Sequence, residues 1–390
     1  MLKIDCHQYR GDRPCAPHKR DGRSCDGCDE YRPIVDRLLI IKLGALGDVL
    51  RTTSLLPALF RVYESPHVTW ITRRSAAPLL AGNRYVSRVL TVEGPHLEHL
   101  LVERFTAGFG LDSEALPASM LAISRCDRYY GFRADDRGRL VPAGREAEAW
   151  WLMGLDDARK RANRQTYQSL LYEMCAVPGP VARPMLTIAT PARARASALL
   201  AVSPVLDGRP VVGLNTGGGS RWQYKKWTTV GWMSLLEQLR DDPMEPALVL
   251  LGGPQEAELN ALLASRFGER VIFAGCHHDL MTFAALVERA DVLVTADSLA
   301  LHMATALCRP VVALVGPTSP WELELYGQGE ALTGDVDCIA CYRTTCDKRP
   351  ACMDLLSATR VASAVRRWLP STAAVVPRAA PQAIDVRVRA

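Results

Sequence analysis

Leu38-Leu39-Ile40-Ile41-Lys42-Leu43-Gly44-Ala45-Leu46-Gly47-Asp48 is the stretch from which the fold can be read. Four successive bulky apolar residues predict a strand buried on both faces, as in a parallel sheet. The glycines end it in a turn. Val49, Thr53, Leu56 and Phe60 then recur at helical spacing, with Pro57 kinking or splitting that helix. Val68 to Ile71 reads as the next strand, whereas residues 85–175 alternate too weakly to place boundaries.

The same pattern returns in the second half. Val211-Val212-Gly213-Leu214-Asn215 predicts a strand, and Thr216-Gly217-Gly218-Gly219-Ser220 follows it directly. Further strands are expected at Ala247 to Leu251, Val271 to Ala274, Val292 to Thr295 and Val311 to Val315. Helices are expected at Leu280 to Arg289 and Leu301 to Leu307. Strands alternating with helices imply a parallel sheet covered on both faces. The fold class is therefore α/β with two Rossmann-like domains. The expected domains are a Cys-rich extension (1–33), a first Rossmann-like domain (34–190) and a second (205–354). A final amphipathic helix (355–369) follows, and the tail (370–390) should be disordered. Residues 176–210, rich in proline, alanine and arginine, contain the crossing between the domains.

A length of 390 residues exceeds what a single core usually serves. With 48% hydrophobic and 23% charged residues the chain is an ordinary globular protein, and its net charge of +5 is too small to argue for nucleic acid. It is compatible with phosphorylated substrates or an anionic membrane surface. Met1 to Asp12 lacks the apolar stretch of a signal peptide, and no apolar run is long enough to cross a bilayer. The expected location is the cytoplasm.

In open parallel sheets, ligands bind beyond the carboxyl ends of the strands. Asp48, at a helix start, can be a capping residue favoured by the helix dipole, or a general base facing a cleft. Gly44 and Gly47 do not complete a dinucleotide fingerprint. In the second half, glycines 217–219 let backbone N–H groups approach a ligand, and Lys225 and Lys226 follow, a combination suited to a pyrophosphate. Asp297 or Ser298 can cap the next helix, with His302 one turn in. Gly252-Gly253-Pro254-Gln255-Glu256 and Gly316-Pro317-Thr318 add further turns at the same edge. Together these turns describe a binding cleft.

Ile41 to Val49 resembles the opening motif of glycosyltransferase family 9, the ADP-heptose lipopolysaccharide heptosyltransferases. Lys225-Lys226-Trp227 resembles that family's Lys-x-Trp motif, and Asp297 to His302 with Pro310 to Thr318 resembles its C-terminal block. The resemblance runs from Leu38 to Thr318. It implies a GT-B fold, with residues 34–190 on the acceptor side, 205–354 binding the nucleotide sugar and helix 355–369 returning to the first domain. It further implies inverting transfer without a catalytic metal or other cofactor. It also implies Asp48 as general base and Lys225 and Ser298 at the donor diphosphate. Asp297, His302 and Glu256 would shape the donor site with Gly217 and Gly218, and Arg51, Arg73 and Arg74 are assigned to the acceptor. Leu299 stands where the family usually has glycine, and Thr228 where it usually has proline. The expected partners are a nucleoside-diphosphate sugar, ADP-heptose first, and a lipid-linked saccharide acceptor met at the inner membrane. Alternatives are a protein acceptor, as in autotransporter heptosyltransferases, or an NADP-dependent oxidoreductase. The latter lacks an acidic residue ending the second strand, where Thr72-Arg73-Arg74 stands.

Eight of the twelve cysteines lie near the two ends of the patterned region. Cys6, Cys15, Cys25 and Cys28 precede the first strand, and Cys338, Cys341, Cys346 and Cys352 follow the last motif. Each group contains a C-x-x-C pair able to share a metal ion, so structural zinc or iron is expected, in one mixed site or in two. Cys126, Cys175, Cys276 and Cys308 read as buried small apolar residues.

Overall fold

Leu38 to Ile41 are completely buried in strand β1 (Arg37–Ile41) of a computed structural model that describes residues 1–201, 206, 208–219 and 223–370. Five strands join it: β2 (His67–Thr72), β3 (Arg88–Thr91), β4 (Arg104–Gly110), β5 (Arg125–Ala134) and β6 (Leu140–Pro142). Their order is β3-β2-β1-β4-β5-β6, parallel throughout except for β5 with β6. The second sheet contains β7 (Val211–Asn215), β8 (Ala247–Leu251), β9 (Val271–Phe273), β10 (Val292–Ala296), β11 (Val311–Val315) and β12 (Gly329–Thr333). Its order is β12-β11-β10-β7-β8-β9, all parallel. Counted within each half, both sheets have the doubly wound order, which reverses direction beside its first strand. The reversal lies between β1 and β4 in one sheet and between β7 and β10 in the other.

The helices of the first half are α1 (Ala16–Asp21), α2 (Leu46–Thr52), α3 (Leu56–Val62), α4 (Ala77–Leu80), α5 (Leu97–Val102), α6 (Ala115–Ile123), α7 (Glu148–Leu155), α8 (Asp157–Ala162) and α9 (Tyr167–Met174). Pro57 lies in the first turn of α3, where its missing N–H costs no helical bond, and a 3-10 turn at Thr53–Leu55 separates it from α2. The helix is split. After the crossing helix α10 (Thr190–Leu200) come α11 (Thr229–Arg240), α12 (Ala257–Phe267), α13 (Leu280–Arg289), α14 (Leu299–Ala306) and α15 (Ala358–Trp368). Helix α10 packs on α13, and Arg193 grips Glu288 through two 2.8 Å bonds. The crossing segment is thus already tied to the second domain. One buried cluster runs through both halves, including Leu50, Ala192, Ala300 and Ala304.

Two expectations are corrected here. Helix α15 does not turn back to the first domain: it packs on α11 and on β10, β11 and β12. Its stripe Val361, Ala362, Ala364 and Val365 is buried with Trp232, Leu235 and Leu236, so the nearest uncovered apolar face of the second sheet captures it. Cys308 is exposed in a left-handed conformation (φ 56°), while Cys175 and Cys276 are buried and Cys126 is half-buried. The expected disordered tail, from 371 onward, lies outside the described residues, as does Ser220.

The Cys-rich extension docks on the turn before β2. Ser65 Oγ donates to Pro33 O at 2.6 Å, Val35 N–H to Ser65 O at 3.4 Å, and His7 stacks on His67 with ring centroids 6.1 Å apart. That turn is at the N-terminal ends of the strands, opposite the edge where ligands bind.

Candidate active site

The chain leaving β1 is clamped by a carboxylate from the strand beside it. Asp112, just past β4, accepts the Gly44 N–H at 3.0 Å, the Leu43 N–H, and Lys42 Nζ at 2.5 Å. Lys42 Nζ also donates to Leu111 O at 3.0 Å. A Cβ on Gly44 would sit 2.7 Å from Asp112 Oδ1, so the clamp requires glycine there. It sets the direction in which the chain enters α2. Ala45 occupies the N-cap position, and Asp48 makes no cap bond. Its Oδ1 lies 2.7 Å from Arg51 Nη2, one turn later, and its side chain is one-third exposed. The capping reading fails on this geometry. Arg51 stacks on the Tyr167 ring of α9, 3.5 Å from its centroid. Burial by itself would raise the Asp48 pKa, but Arg51, Lys42 and His302 together hold it below the usual carboxylate value.

The second sheet presents its own reversal point. Asn215 Nδ2 donates to Gly217 O at 3.1 Å and to Thr295 Oγ1 at 2.9 Å, tying the glycine turn to the end of β10. Gly218 packs so closely that an added Cβ would lie 3.2 Å from the Lys225 backbone, and Gly219 has φ 79°. Lys225 Nζ is 2.7 Å from Asp297 Oδ2 and 3.3 Å from Asp297 O. Lys226 Nζ is 2.7 Å from Glu256 Oε1, whose other oxygen accepts Gly253 N–H at 3.0 Å. Ser298 is the N-cap of α14, yet its hydroxyl pairs with Thr295 Oγ1 at 3.0 Å instead of capping. The first-turn amides of α14 thus have no side-chain cap, as an anion site requires. Thr228, in place of proline, caps α11 by accepting Gly231 N–H at 3.0 Å.

The two points meet across the cleft. A Cβ on Gly47 would lie 2.7 Å from His302 Cδ2 and 3.7 Å from Leu299 Cα, so α2 and α14 touch at their N-terminal turns. Leu299 is therefore packed on the opposite domain. His302 is buried, and burial, reinforced by Arg51, lowers its pKa to about 4 against the pull of Asp297 and Asp48. Burial would raise Asp297, but Lys225, His302 and Arg51 bring it to about 2. Asp48, Arg51, Asp297, Lys225 and His302 thus form one charge network spanning both domains.

Arg73 and Arg74 are exposed just past β2, at the same edge as Asp48. Sequence reasoning missed Lys42, Asp112 and Tyr167. The only signal for them was Lys42 inside the glycine-bearing motif. Cys6, Cys15, Cys25 and Cys28 line one cavity of about 670 Å³ in the extension. Cys338 to Cys352 instead adjoin the second domain's cleft edge, where Tyr342 N–H donates to Pro317 O at 2.8 Å and Tyr224 Oη to Cys346 O at 3.3 Å. The Cys352 thiol is pushed up to about 11, by burial and then by Cys341, Cys338 and Cys346. The two groups do not mix. Among the described residues, no three His, Cys, Asp or Glu side chains stand close enough together to hold one ion as placed.

Comparison with known proteins agrees with this architecture. Lipooligosaccharide heptosyltransferase 2 of Haemophilus influenzae is 26% identical over 299 residues, covering 73% of this chain and 84% of the relative. A family 9 glycosyltransferase from Veillonella parvula superposes with a TM-score of 0.69 at 16% identity, over 87% of this chain and 98% of its own. ADP-heptose lps heptosyltransferase II of E. coli gives 0.62 at 20%, over 85% and 98%. These likenesses establish the GT-B fold, two Rossmann-like domains facing a cleft. The profile of glycosyltransferase family 9 (heptosyltransferase) matches residues 151–351, more than half of the chain. The chain belongs to this family and is a glycosyltransferase, which removes the oxidoreductase alternative.

Proposed function

We propose that this enzyme transfers a heptose from ADP-heptose to a lipopolysaccharide-core saccharide, with inversion and without a catalytic metal. The observation that carries this reading is the contact of α2, which bears Asp48, with the N-terminal turn of α14, beside which Lys225 holds Asp297. Asp48 takes the proton of the acceptor hydroxyl as its oxygen attacks the anomeric carbon. The bond from that carbon to the diphosphate breaks on the opposite face, and the departing group keeps the electron pair. Lys225 and the α14 amides stabilise the charge that develops there, the role a metal would otherwise fill. Lys225 must exchange part of its bond with Asp297 for the phosphate. Glu256, beside Gly217, is placed for the nucleoside ribose or the sugar, and Arg73 and Arg74 for the anionic acceptor.

An acceptor linked to lipid is met at the inner membrane surface from the cytoplasm. Among the described residues no helix is long and apolar enough to cross a membrane. Neighbouring helices α5 and α6 expose Leu97, Leu101, Val102, Leu116 and Ile123, an apolar face suited to shallow contact with that surface. The segment of Cys338 to Cys352 is a brace for the donor loop through Tyr224. Structural zinc or iron there would act on Lys225 only by holding that brace.

Release of nucleoside diphosphate decides the matter. Purified protein with ADP-heptose and a heptose-deficient lipopolysaccharide core should release ADP and lengthen the core by one sugar. Release of ADP with labelled heptose passing only to protein would favour the protein acceptor instead. No release with ADP-heptose, alongside release from another sugar nucleotide, would overturn the donor assignment.

A further inference from the structure

The extension poses a folding problem that apolar burial does not solve. Of residues 1–33, Pro17 alone is buried, while Met1, Leu2, Ile4 and Tyr9 are exposed. Segments below about 40 residues usually need a disulfide, a metal or a partner to hold a structure. The ion pairs of Arg20 and Arg23 with Asp21, Asp29 and Glu30 are solvent-facing and contribute little. No disulfide is present among the cysteines. The Ser65 turn holds only the segment's two ends, through His7, Pro33 and Val35.

What the middle of the extension does share is sulfur. Cys6, Cys15 and the Cys25/Cys28 turn come from three places in the segment and line the same cavity. The Cys28 N–H points to Cys25 O at 3.4 Å, closing the C-x-x-C turn, and the Gln8 N–H donates to Cys6 Sγ at 3.4 Å. Of the nearby imidazoles, His18 lines the same cavity with its Nδ1 2.9 Å from Arg23 O, and His7 turns its Nε2 to Ser65 at 3.3 Å. At about 670 Å³ the cavity is far larger than an ion, and the four cysteines on its wall do not converge on one point. Binding would therefore have to draw them together, and for a segment with so little apolar burial that binding energy would be folding energy.

We propose that Cys6, Cys15, Cys25 and Cys28 bind one thiophilic ion, zinc or iron, in a tetrahedral four-thiolate site that folds residues 1–33 onto the Ser65 turn. The site is separate from Cys338 to Cys352 and lies at the sheet edge away from the cleft. Its role is therefore structural. Binding exchanges protons for metal with no redox step: each ligating thiol gives its proton to solvent.

Elemental analysis of protein purified under reducing conditions without chelator tests this. Three proteins are compared: wild type, Cys25→Ser/Cys28→Ser and Cys338→Ser/Cys341→Ser. The first variant should lose about one ion per chain, the stoichiometry of a four-thiolate site. It should also become protease-sensitive within residues 1–33 while keeping its ADP-induced rise in Tm. The second variant should retain that ion. If Cys25→Ser/Cys28→Ser is insoluble, alkylation of the wild type followed by mass mapping gives the same decision. Cys6, Cys15, Cys25 and Cys28 should be protected together and become reactive together after chelation. Zinc and iron contents unchanged by the first variant, or alkylation as fast before chelation as after it, would overturn the proposal. Because the nucleotide response is read separately, failure here leaves the transferase reading standing.

Discussion

Asp48 and Arg51 form a 2.7 Å ion pair one helical turn apart, so the base of the proposed reaction rests on a guanidinium that is itself stacked on Tyr167. Arg51, with Lys42 and His302, favours the ionised carboxylate. Asp48→Asn should keep ADP binding and lose transfer by about 100- to 10,000-fold, the usual cost of removing a general base. The acid limb of the wild-type kcat/KM profile should lie below the ordinary carboxylate value, because Arg51, Lys42 and His302 together outweigh burial. Arg51→Gln should move that limb upward. Near-native turnover by Asp48→Asn would end the assignment.

Lys225 and Lys226 are neighbours with different partners, Asp297 and Glu256, each at 2.7 Å. Lys225 shares its charge network with His302 and the α14 N-terminus, so the proposed mechanism assigns it to the diphosphate. A hydrogen bond to a charged group contributes about 1.5–3 kcal/mol, so Lys225→Ala should weaken ADP binding about 10- to 100-fold. Lys226→Ala should have a smaller effect, felt mainly through Glu256. Titration calorimetry of both variants with ADP separates them, and equal losses would remove Lys225 from its place at the phosphate.

The residues legible from sequence were those whose chemistry sits beside a strong local pattern. Asp48 follows the run Leu38 to Ile41, and Lys225 and Ser298 follow β7 and β10, each buried throughout. Strand β12 was invisible because Gly329 to Thr333 is a half-exposed edge with one buried residue, which leaves no apolar run. Asp112 and Tyr167 are distant in sequence from Lys42 and Arg51, and one sequence carries no record of such pairings. The amphipathic stripe of α15 was legible, but its destination was not. Periodicity says which face is buried, not which neighbour buries it.

Asp112 carries a prediction of its own. It and Lys42 are almost wholly buried, with side chains 6% and 5% exposed, and Asp112 also holds the amides of Leu43 and Gly44. Breaking a buried pair from one side typically costs about 3–5 kcal/mol, whereas removing both charges costs far less. Asp112→Asn should lower stability in urea by that order and reduce kcat, since the turn feeding α2 loosens. Asp112→Asn/Lys42→Met should recover much of the stability. A single variant as stable as the wild type would show that the clamp is not needed.

His302 links the cleft to acid stability. Burial is the main cause of its low pKa, Arg51 and Lys225 add to it, and Asp297 and Asp48 oppose it. The folded value is about 4, against 6.5 for an unperturbed imidazole. The unfolded chain therefore binds the proton first as pH falls. Stability from this group is fully present above about pH 6.5 and is lost progressively toward pH 4, by about 3 kcal/mol at the limit. His67, lowered to about 4 by burial and by Arg88, contributes a slope of the same sign at the far edge of the first sheet. Urea midpoints of wild type and His302→Asn, compared at about pH 7 and about pH 5, isolate the cleft's share. The variant should lose less stability than the wild type over that interval, keeping only the slope from His67 and the remaining groups. If the two slopes coincide, His302 takes up its proton in the folded state as readily as in the unfolded one. The tight approach of α2 and α14 around it would then not hold in solution.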